Sequence, residues 1–324
     1  PVCAYWMLRL MRCPFPGPGI AAVLTLPFLF NSANSMWGDN ILSSLAGEFS
    51  YSLSLALSLV LLGSLYSGAR RHRRVVKNAI LVFLVGFSHG YTLLFAEAMS
   101  LYLLITLRGF VERLFYLGKV YALAFCLLAF WLVPLLIFTR YTSSFDVVWT
   151  IHSINELFPP ILLPVLLAGF AGSLGMLIWG IRDHANFGRE ALPMLGYLWF
   201  GLAMCVVFFV AAPRIGVVDI RYVPYGQLIG ALLAALSLGW LGRYLQRWKI
   251  DWVLLPAVLV AVIFWTGNQP GPVSDWGKWN YEGFEAKAAW PAFERINQEL
   301  KGDFNDPRVI FEHSKLHNSF GSSR

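Results

Sequence analysis

Charged side chains are scarce in this chain of 324 residues, because only 13% of its residues are Asp, Glu, Lys or Arg. A soluble globular domain carries about 25%, so the composition excludes an ordinary soluble protein. Hydrophobic residues make up 57%, and the mean hydropathy is +0.60. Apolar runs of nearly twenty residues recur, which is the length a helix needs to cross a bilayer. The sequence therefore predicts an all-α polytopic membrane protein.

Cysteines and standard catalytic motifs are also few. The four cysteines form no CxxC pair and lie mostly in apolar segments, which predicts small core residues rather than disulfides or a metal site. No phosphate-binding glycine loop, GxSxG, HExxH or Walker pattern occurs. His313 and His317 are four residues apart but have no third ligand, so we predict no metal there.

The chain begins at Pro1 without a signal-peptide pattern, and we expect an excerpt of a longer protein.

Basic residues decide the membrane topology. The runs 76–88 and 90–107 form either one long helix or a hairpin that turns at "SHGY" (88–91). The hairpin leaves fifteen basic residues in inside loops and three in outside loops, and the positive-inside rule favours this arrangement. The opening residues 1–8 would end a further span. The nine predicted spans are 18–35, 49–67, 76–88, 90–107, 119–138, 160–181, 191–212, 224–242 and 251–267.

In this topology, four polar segments meet the outer side, and the C-terminal segment follows them. Residues 1–267 would form the membrane domain and residues 268–324 the start of an extracytoplasmic α/β domain. We predict a helix over 290–302 and a strand over 308–313 within that domain. The outer segments of the membrane domain are 31–49, 88–91, 139–160 and 213–226.

Asp39 and Glu48 flank the first outer loop. Glu48 stands where a helix begins, so the helix dipole alone would favour its charge. In this interpretation Asp39 is simply solvated. The alternative is that these carboxylates act as a general base or as cation ligands at the membrane surface. Ser50, Ser54 and Ser58 follow at a spacing of four, which predicts one helix face that hydrogen-bonds to neighbouring helices.

Arginines are rare on the predicted outer side, so Arg214 and Arg221 are candidates for binding an anion. A planar guanidinium suits a phosphate, and a local ion pair with Asp219 is the alternative. His89 at the hairpin turn and Glu97 two turns deeper are ionisable groups within the membrane region, which makes them functional candidates by default. The alternatives are a hydrogen-bonded turn residue and a carboxyl group kept protonated inside the bundle.

Four stretches resemble a family of bacterial and archaeal integral membrane proteins, the membrane protein 6-pyruvoyl-tetrahydropterin synthase-related domain family. The resemblance covers nearly the whole chain, and the segment from Gly47 to Leu57 is its most specific part. The soluble pterin synthases of that name use a histidine cluster that this sequence lacks. The stretches are "MWGDNILSSLAGEFSYSLSLALSLVLLG" (36–63), "RYVPYGQLIGALLAA" (221–235), "WNYEGFEAKAAWPAF" (279–293) and "VIFEHSKLHNSFGSSR" (309–324).

This family is grouped with the glycosyltransferase C superfamily, whose multi-helix enzymes transfer sugar from a polyprenyl-phosphate carrier on the outer face. The resemblance implies such a bundle in the plasma membrane, with a polyprenyl-phosphate-linked sugar and membrane lipid as partners and no nucleic acid. It also implies an outer-loop acid that acts as base or metal ligand, so a divalent cation is a candidate cofactor. The superfamily's main acid would lie before Pro1. Asp39 and Glu48 would then be supporting acids, and Arg221 would bind the donor phosphate.

Two other functions stay open from the sequence. A lipid or glycolipid transporter could relay protons through His89 and Glu97, although paired halves with broken helices are not evident. A non-catalytic membrane scaffold that presents the C-terminal domain would have the same fold.

Overall fold

The computed structural model describes residues 1–33, 36–105, 109–142, 148–269 and 273–307, and these residues form helices, turns and loops without a strand. The chain divides into two compact units, Pro1–Pro270 and Gly271–Arg324. The strand predicted over 308–313 lies outside the described residues, as do His313 and His317.

Several helices of the first unit follow the predicted apolar runs to within a few residues, whereas the helix at the predicted run 119–138 begins earlier, at Phe110. Short 3-10 helices at Thr139–Tyr141, Ala212–Ile215, Asp219–Tyr222 and Gln246–Trp248, and a π-helix at His184–Gly188, join some of them. In chain order the α-helices are α1 (Val2–Met11), α2 (Gly17–Leu24), α3 (Leu26–Leu29), α4 (Ile41–Leu45), α5 (Phe49–Ala69), α6 (Val75–Ser88), α7 (Gly90–Ser100), α8 (Tyr102–Ile105), α9 (Phe110–Ile137), α10 (Ile154–Leu157), α11 (Leu163–Arg182), α12 (Arg189–Ala211), α13 (Val223–Leu245) and α14 (Asp251–Gly267).

Five of the described helices are long and apolar enough to cross a membrane, whereas nine spans were predicted. Three of them are α5, α9 and α11. The other two are α12 and α13, each extended by the adjoining 3-10 helices. The other predicted runs form helices of 10–17 residues, such as α6 and α14, or are interrupted, as α2 and α3 are at Thr25. The described residues thus form an all-helical membrane protein, and the full number of spans stays a prediction.

The helices α5 and α13 form the centre of the bundle. In their most apolar windows, 61% and 67% of the residues are buried, against 17% in α9. Helix α5 packs on α1, α6 and α7, and α13 packs on α2, α11 and α12. Glycines allow these close crossings: a Cβ on Gly63 of α5 would lie 2.7 Å from the Met7 carbonyl oxygen, and one on Gly169 of α11 would clash with Gly230.

The peripheral helices present apolar side chains outward. On α9, Phe115 and Phe130 leave 66% and 65% of their surface exposed, as expected for a helix whose solvent is lipid. Cys126 of the same helix is exposed too, which corrects its prediction as a core residue, whereas Cys13 and Cys205 are buried as predicted. All four cysteines are free.

Helices α6 and α7 form the predicted hairpin. His89 between them is extended, with φ −163° and ψ 125°. Ser54 of α5 donates to the Val85 carbonyl at 2.7 Å near the end of α6, and Ser64 donates to Asn78 near its start, so α6 runs antiparallel to α5. Ser54 also contacts the Thr92 hydroxyl at the start of α7, and Phe95, one turn later, stacks on Tyr225. Helix α7 therefore runs in the same direction as α5 and opposite to α6. Ser58 lies 2.8 Å from the Tyr225 hydroxyl of α13. The predicted role of the serine face is therefore confirmed at Ser54 and Ser58.

The second unit contains two described helices, α15 (Val273–Tyr281) and α16 (Trp290–Glu299). Helix α16 matches the predicted helix over 290–302, with Pro291 in its first turn. Lys287 donates to Glu282 at 2.9 Å and lies 4.1 Å from the centre of the Trp279 ring. The described part of this unit is helix and turn, so its strand content stays a prediction.

Candidate functional site

The two central helices begin beside one another, and this brings a predicted acid and a predicted arginine into contact. Glu48 directly precedes α5, and Arg221 lies in the 3-10 helix Asp219–Tyr222 that leads into α13. Arg221 Nη2 donates to Glu48 Oε1 at 2.5 Å, with only 15% and 19% of the two side chains exposed. The Tyr51 hydroxyl donates to the Arg221 carbonyl. The start of α5 therefore fixes both the backbone and the side chain of Arg221.

The guanidinium of Arg221 is only partly satisfied. Its carbon lies 5.5 Å from the centre of the Tyr51 ring. Its second terminal nitrogen, Nη1, is buried and has no hydrogen-bond partner among the described residues. A buried donor without an acceptor costs free energy, and a charged one costs more. An anionic ligand at this position would supply the missing acceptor.

His89 lies against the same tyrosine. Its ring meets the Tyr51 ring edge-on at 5.0 Å, and its Nδ1 accepts from the Tyr91 N–H at 3.3 Å. Burial and, less strongly, the Arg221 charge lower the pKa of His89 against the opposing effect of Glu48, and the resulting pKa is about 4. At neutral pH His89 is consequently an uncharged helix cap that borders the Glu48–Arg221 pair.

Asp39 lies in the loop that precedes α4, with a backbone φ of 69° in the left-handed region. Asn40 orders this loop, because its side chain accepts from the Ser43 N–H at 2.7 Å and donates to the Asn31 carbonyl at 2.9 Å. The Asp39 carboxylate is half-buried and forms no hydrogen bond or ion pair with another described residue. It lies close enough to Tyr51 for an electrostatic interaction between the two side chains. Burial raises the pKa of Asp39 well above the usual carboxyl range.

Two tryptophans from different loops complete this end of the bundle. The rings of Trp37 and Trp149 meet edge-on at 5.9 Å, and Trp149 leaves 37% of its surface exposed. Asp219 is buried and accepts from the Trp149 N–H at 3.2 Å and from the Ile220 N–H at 2.6 Å. Asp219 therefore fixes the backbone beneath Trp149, and it forms no ion pair with an arginine that the structure describes.

Arg214 and Glu97 are not brought to the Glu48–Arg221 pair. Arg214 is exposed on the 3-10 helix Ala212–Ile215 and makes no ion pair with another described residue. Glu97 is half-buried within α7. Its side chain interacts electrostatically with that of Tyr121 on α9. No contact in the described residues joins Glu97 to His89, so the structure offers no direct relay between them.

We call Asp39, Glu48, Tyr51, His89 and Arg221 the outer cluster. Tyr51 was not singled out in the sequence, although its position one turn after Glu48 on the same helix was a usable signal. In the described part of the chain, no three His, Cys, Asp or Glu side chains come together as a metal site. Arg221 engages Oε1 of Glu48, and a divalent cation as cofactor stays a prediction.

Comparison with known proteins agrees with the helical architecture. Residues 1–269 match a family described as 6-pyruvoyl-tetrahydropterin synthase related domain; membrane protein. Neither a curated protein nor a solved structure matches the chain. Because the family match spans the whole helical bundle and the outer cluster, this chain belongs to the 6-pyruvoyl-tetrahydropterin synthase related membrane protein family.

Proposed function

We propose that this protein transfers a sugar from a polyprenyl-phosphate donor to an acceptor on the outer face of the plasma membrane. The observation that carries this proposal is the guanidinium of Arg221, which Glu48 holds in place while Nη1 stays buried and unpartnered. A planar, fixed guanidinium is suited to a phosphate. The glycosyltransferase C-like resemblance supports the same substrate class.

The outer cluster supplies the groups that such a transfer needs. The acceptor hydroxyl attacks the anomeric carbon, the bond from that carbon to the phosphate oxygen breaks, and the hydroxyl proton passes to a carboxylate. Asp39 suits this last role because it has no partner in the described residues and a raised pKa. Arg221 stabilises the negative charge of the departing lipid phosphate, and Glu48 orients Arg221.

The tryptophan pair is the proposed contact surface for the sugar ring. Trp37 is almost fully buried, whereas Trp149 exposes 37% of its surface next to it. Aromatic faces and carboxylates together are suited to a ring that carries both C–H and hydroxyl groups. Asp219 would then act as a positioning residue, because it fixes the backbone of Trp149.

The test compares two arginines from neighbouring 3-10 helices, Ala212–Ile215 and Asp219–Tyr222. Membranes that contain the full-length protein, with Arg221→Gln or with Arg214→Gln, are given labelled polyprenyl-phosphate sugar, and transfer is measured. We expect Arg221→Gln to reduce transfer by about 100-fold, as for the loss of a charge-stabilising donor, and Arg214→Gln to change it less than about twofold.

Equal activity in both variants would remove the phosphate role of Arg221. Movement of the lipid without sugar transfer, altered by a pH gradient and abolished by Glu97→Gln, would instead identify the protein as a transporter.

A further inference from the structure

A second candidate site lies at the opposite ends of α5 and α13. A cavity of about 810 Å³ opens there. Four arginines from different parts of the bundle line it: Arg12 after α1, Arg70 after α5, Arg189 at the start of α12 and Arg243 near the end of α13. None of these residues belongs to the outer cluster.

The charges around this cavity do not cancel. Arg243 donates to Glu190 at 2.8 Å, and Asp183 is the other acidic residue of the wall. Four guanidinium groups therefore face two carboxylates. Arg70 rests over the Tyr66 ring at 4.9 Å from its centre, and among the described residues Arg12 and Arg189 make no ion pair. The wall thus carries an excess of positive charge.

One residue that lines the cavity, Trp240, has a buried polar group without a partner among the described residues. Trp240 is 3% exposed, and its Nε1 has no hydrogen-bond acceptor among the described residues. Phe187 fixes this side of the cavity, because it stacks on Trp179 at 4.2 Å and meets Trp240 edge-on at 4.9 Å. A rigid wall with an unused N–H donor beside arginines is suited to an acceptor-rich anion.

The position of the cavity indicates the source of such an anion. Helix α5 has 21 residues between Glu48 and Arg70, which corresponds to about 31 Å at 1.5 Å per residue. The hydrocarbon core of a bilayer is about 30 Å thick. With the outer cluster at one surface, the cavity lies at the headgroup level of the other leaflet, where lipid phosphates are the most abundant anions.

We infer that this cavity binds a phosphate group, with Arg12, Arg70 and Arg189 as its ligands and the Trp240 N–H as an additional donor. The inference is independent of the sugar-transfer proposal, because it uses other residues at the other end of the bundle. Arginines that only set topology need no cavity and no buried, unpartnered donor. The two interpretations therefore make different predictions for neighbouring arginines.

The test compares Arg70→Gln with Arg71→Gln. Both residues are exposed at the end of α5 and carry the same charge, but Arg71 does not line the cavity. The purified full-length protein is placed in phosphatidylcholine nanodiscs and titrated with inorganic pyrophosphate. In a second arm, labelled phosphatidic acid replaces part of the phosphatidylcholine, and its retention is measured. Thermal unfolding checks that each variant is folded, and Trp240→Phe provides a second cavity variant.

We expect Arg70→Gln to weaken binding about tenfold or more, as for the loss of a charge-assisted hydrogen bond, and Arg71→Gln to change it less than twofold. Trp240→Phe should weaken binding as well. Binding in the first arm identifies a free phosphate compound as the ligand, and binding only in the second identifies a lipid headgroup; either result supports the inference. Equal effects of Arg70→Gln and Arg71→Gln, or no binding in either arm, would overturn it.

Discussion

Asp39 is a carboxylate that the protein holds half-buried at a cost. In the described residues nothing hydrogen-bonds to it, and burial raises its pKa. A raised pKa in the folded state means that the native protein holds this proton more tightly than the unfolded chain does. The free-energy cost of burying the ionised carboxylate is absent below the ordinary carboxyl pKa. This cost grows as the pH rises from that value to the folded-state pKa. Such an uncompensated group is typical of a functional site.

We therefore predict that Asp39→Asn increases the free energy of unfolding at pH 7.5 by about 1–3 kcal/mol, the usual cost of an unsatisfied buried polar group. Asn also accepts the left-handed backbone of this position. The gain should disappear toward pH 3.5, where both folded and unfolded states of the wild-type protein are protonated. Thermal unfolding in detergent across this pH range measures the effect.

Asp219→Asn provides the matched control, because Asp219 accepts two backbone N–H bonds. That substitution should lower stability at pH 7.5. If Asp39→Asn destabilised the protein to the same degree, Asp39 would be a structural residue with partners of its own.

At this scale the sequence identified most of the outer cluster but not its pairing. Asp39, Glu48, His89 and Arg221 were candidates because each is ionisable and near a predicted membrane surface. The alternative for Arg221 was an ion pair with its close neighbour Asp219, yet its partner is Glu48, which lies 173 positions away. No local pattern predicts that contact, because it depends on two central helices that begin side by side.

At the scale of helices, two consecutive buried hydrogen bonds between side chains join α5, α6 and α9. Ser64 donates to Asn78 Oδ1 at 2.6 Å, and Asn78 Nδ2 donates to the Tyr116 hydroxyl at 2.5 Å. Asn78 is fully buried. Within an apolar bundle, its amide has no other partner that could replace these bonds.

We predict that Asn78→Ala lowers the free energy of unfolding by about 1–3 kcal/mol, because it leaves two buried hydroxyl groups without their partner. Ser52→Ala on α5 should change the free energy of unfolding by less than about 0.5 kcal/mol, because Ser52 is only partly buried in the first turn of the helix. Thermal unfolding of both variants in the same detergent compares them. Similar values would mean that the chain of bonds contributes no specific stability.

Helix positions were the part of the fold that the sequence predicted best. Apolar composition alone located α5, α11, α13 and α14 to within a few residues, because a membrane helix must satisfy its backbone internally. Charge asymmetry predicted the α6–α7 hairpin, which the contacts along both helices confirm. The break at Thr25 between α2 and α3 was not predicted, because it lies inside a continuous apolar run.

At the scale of the molecule, the bundle has two chemically different ends. One end carries the Glu48–Arg221 pair, with Asp39 in a neighbouring loop, and the other carries an arginine-lined cavity. The excess of basic residues at the second end was predicted from the positive-inside rule. The cavity itself was not, since it needs Trp179, Phe187 and Trp240 to meet from three segments that are distant in the sequence.

The most direct test of the central claim is sugar transfer by the double variant Asp39→Asn, Glu48→Gln. The full-length protein in native membranes is given labelled polyprenyl-phosphate sugar, and the labelled product is counted beside wild type and the Arg214→Gln control. Our account predicts that the double variant loses at least about 99% of the transfer, because it lacks both the base and the group that orients Arg221. Undiminished transfer would contradict the roles assigned to both carboxylates.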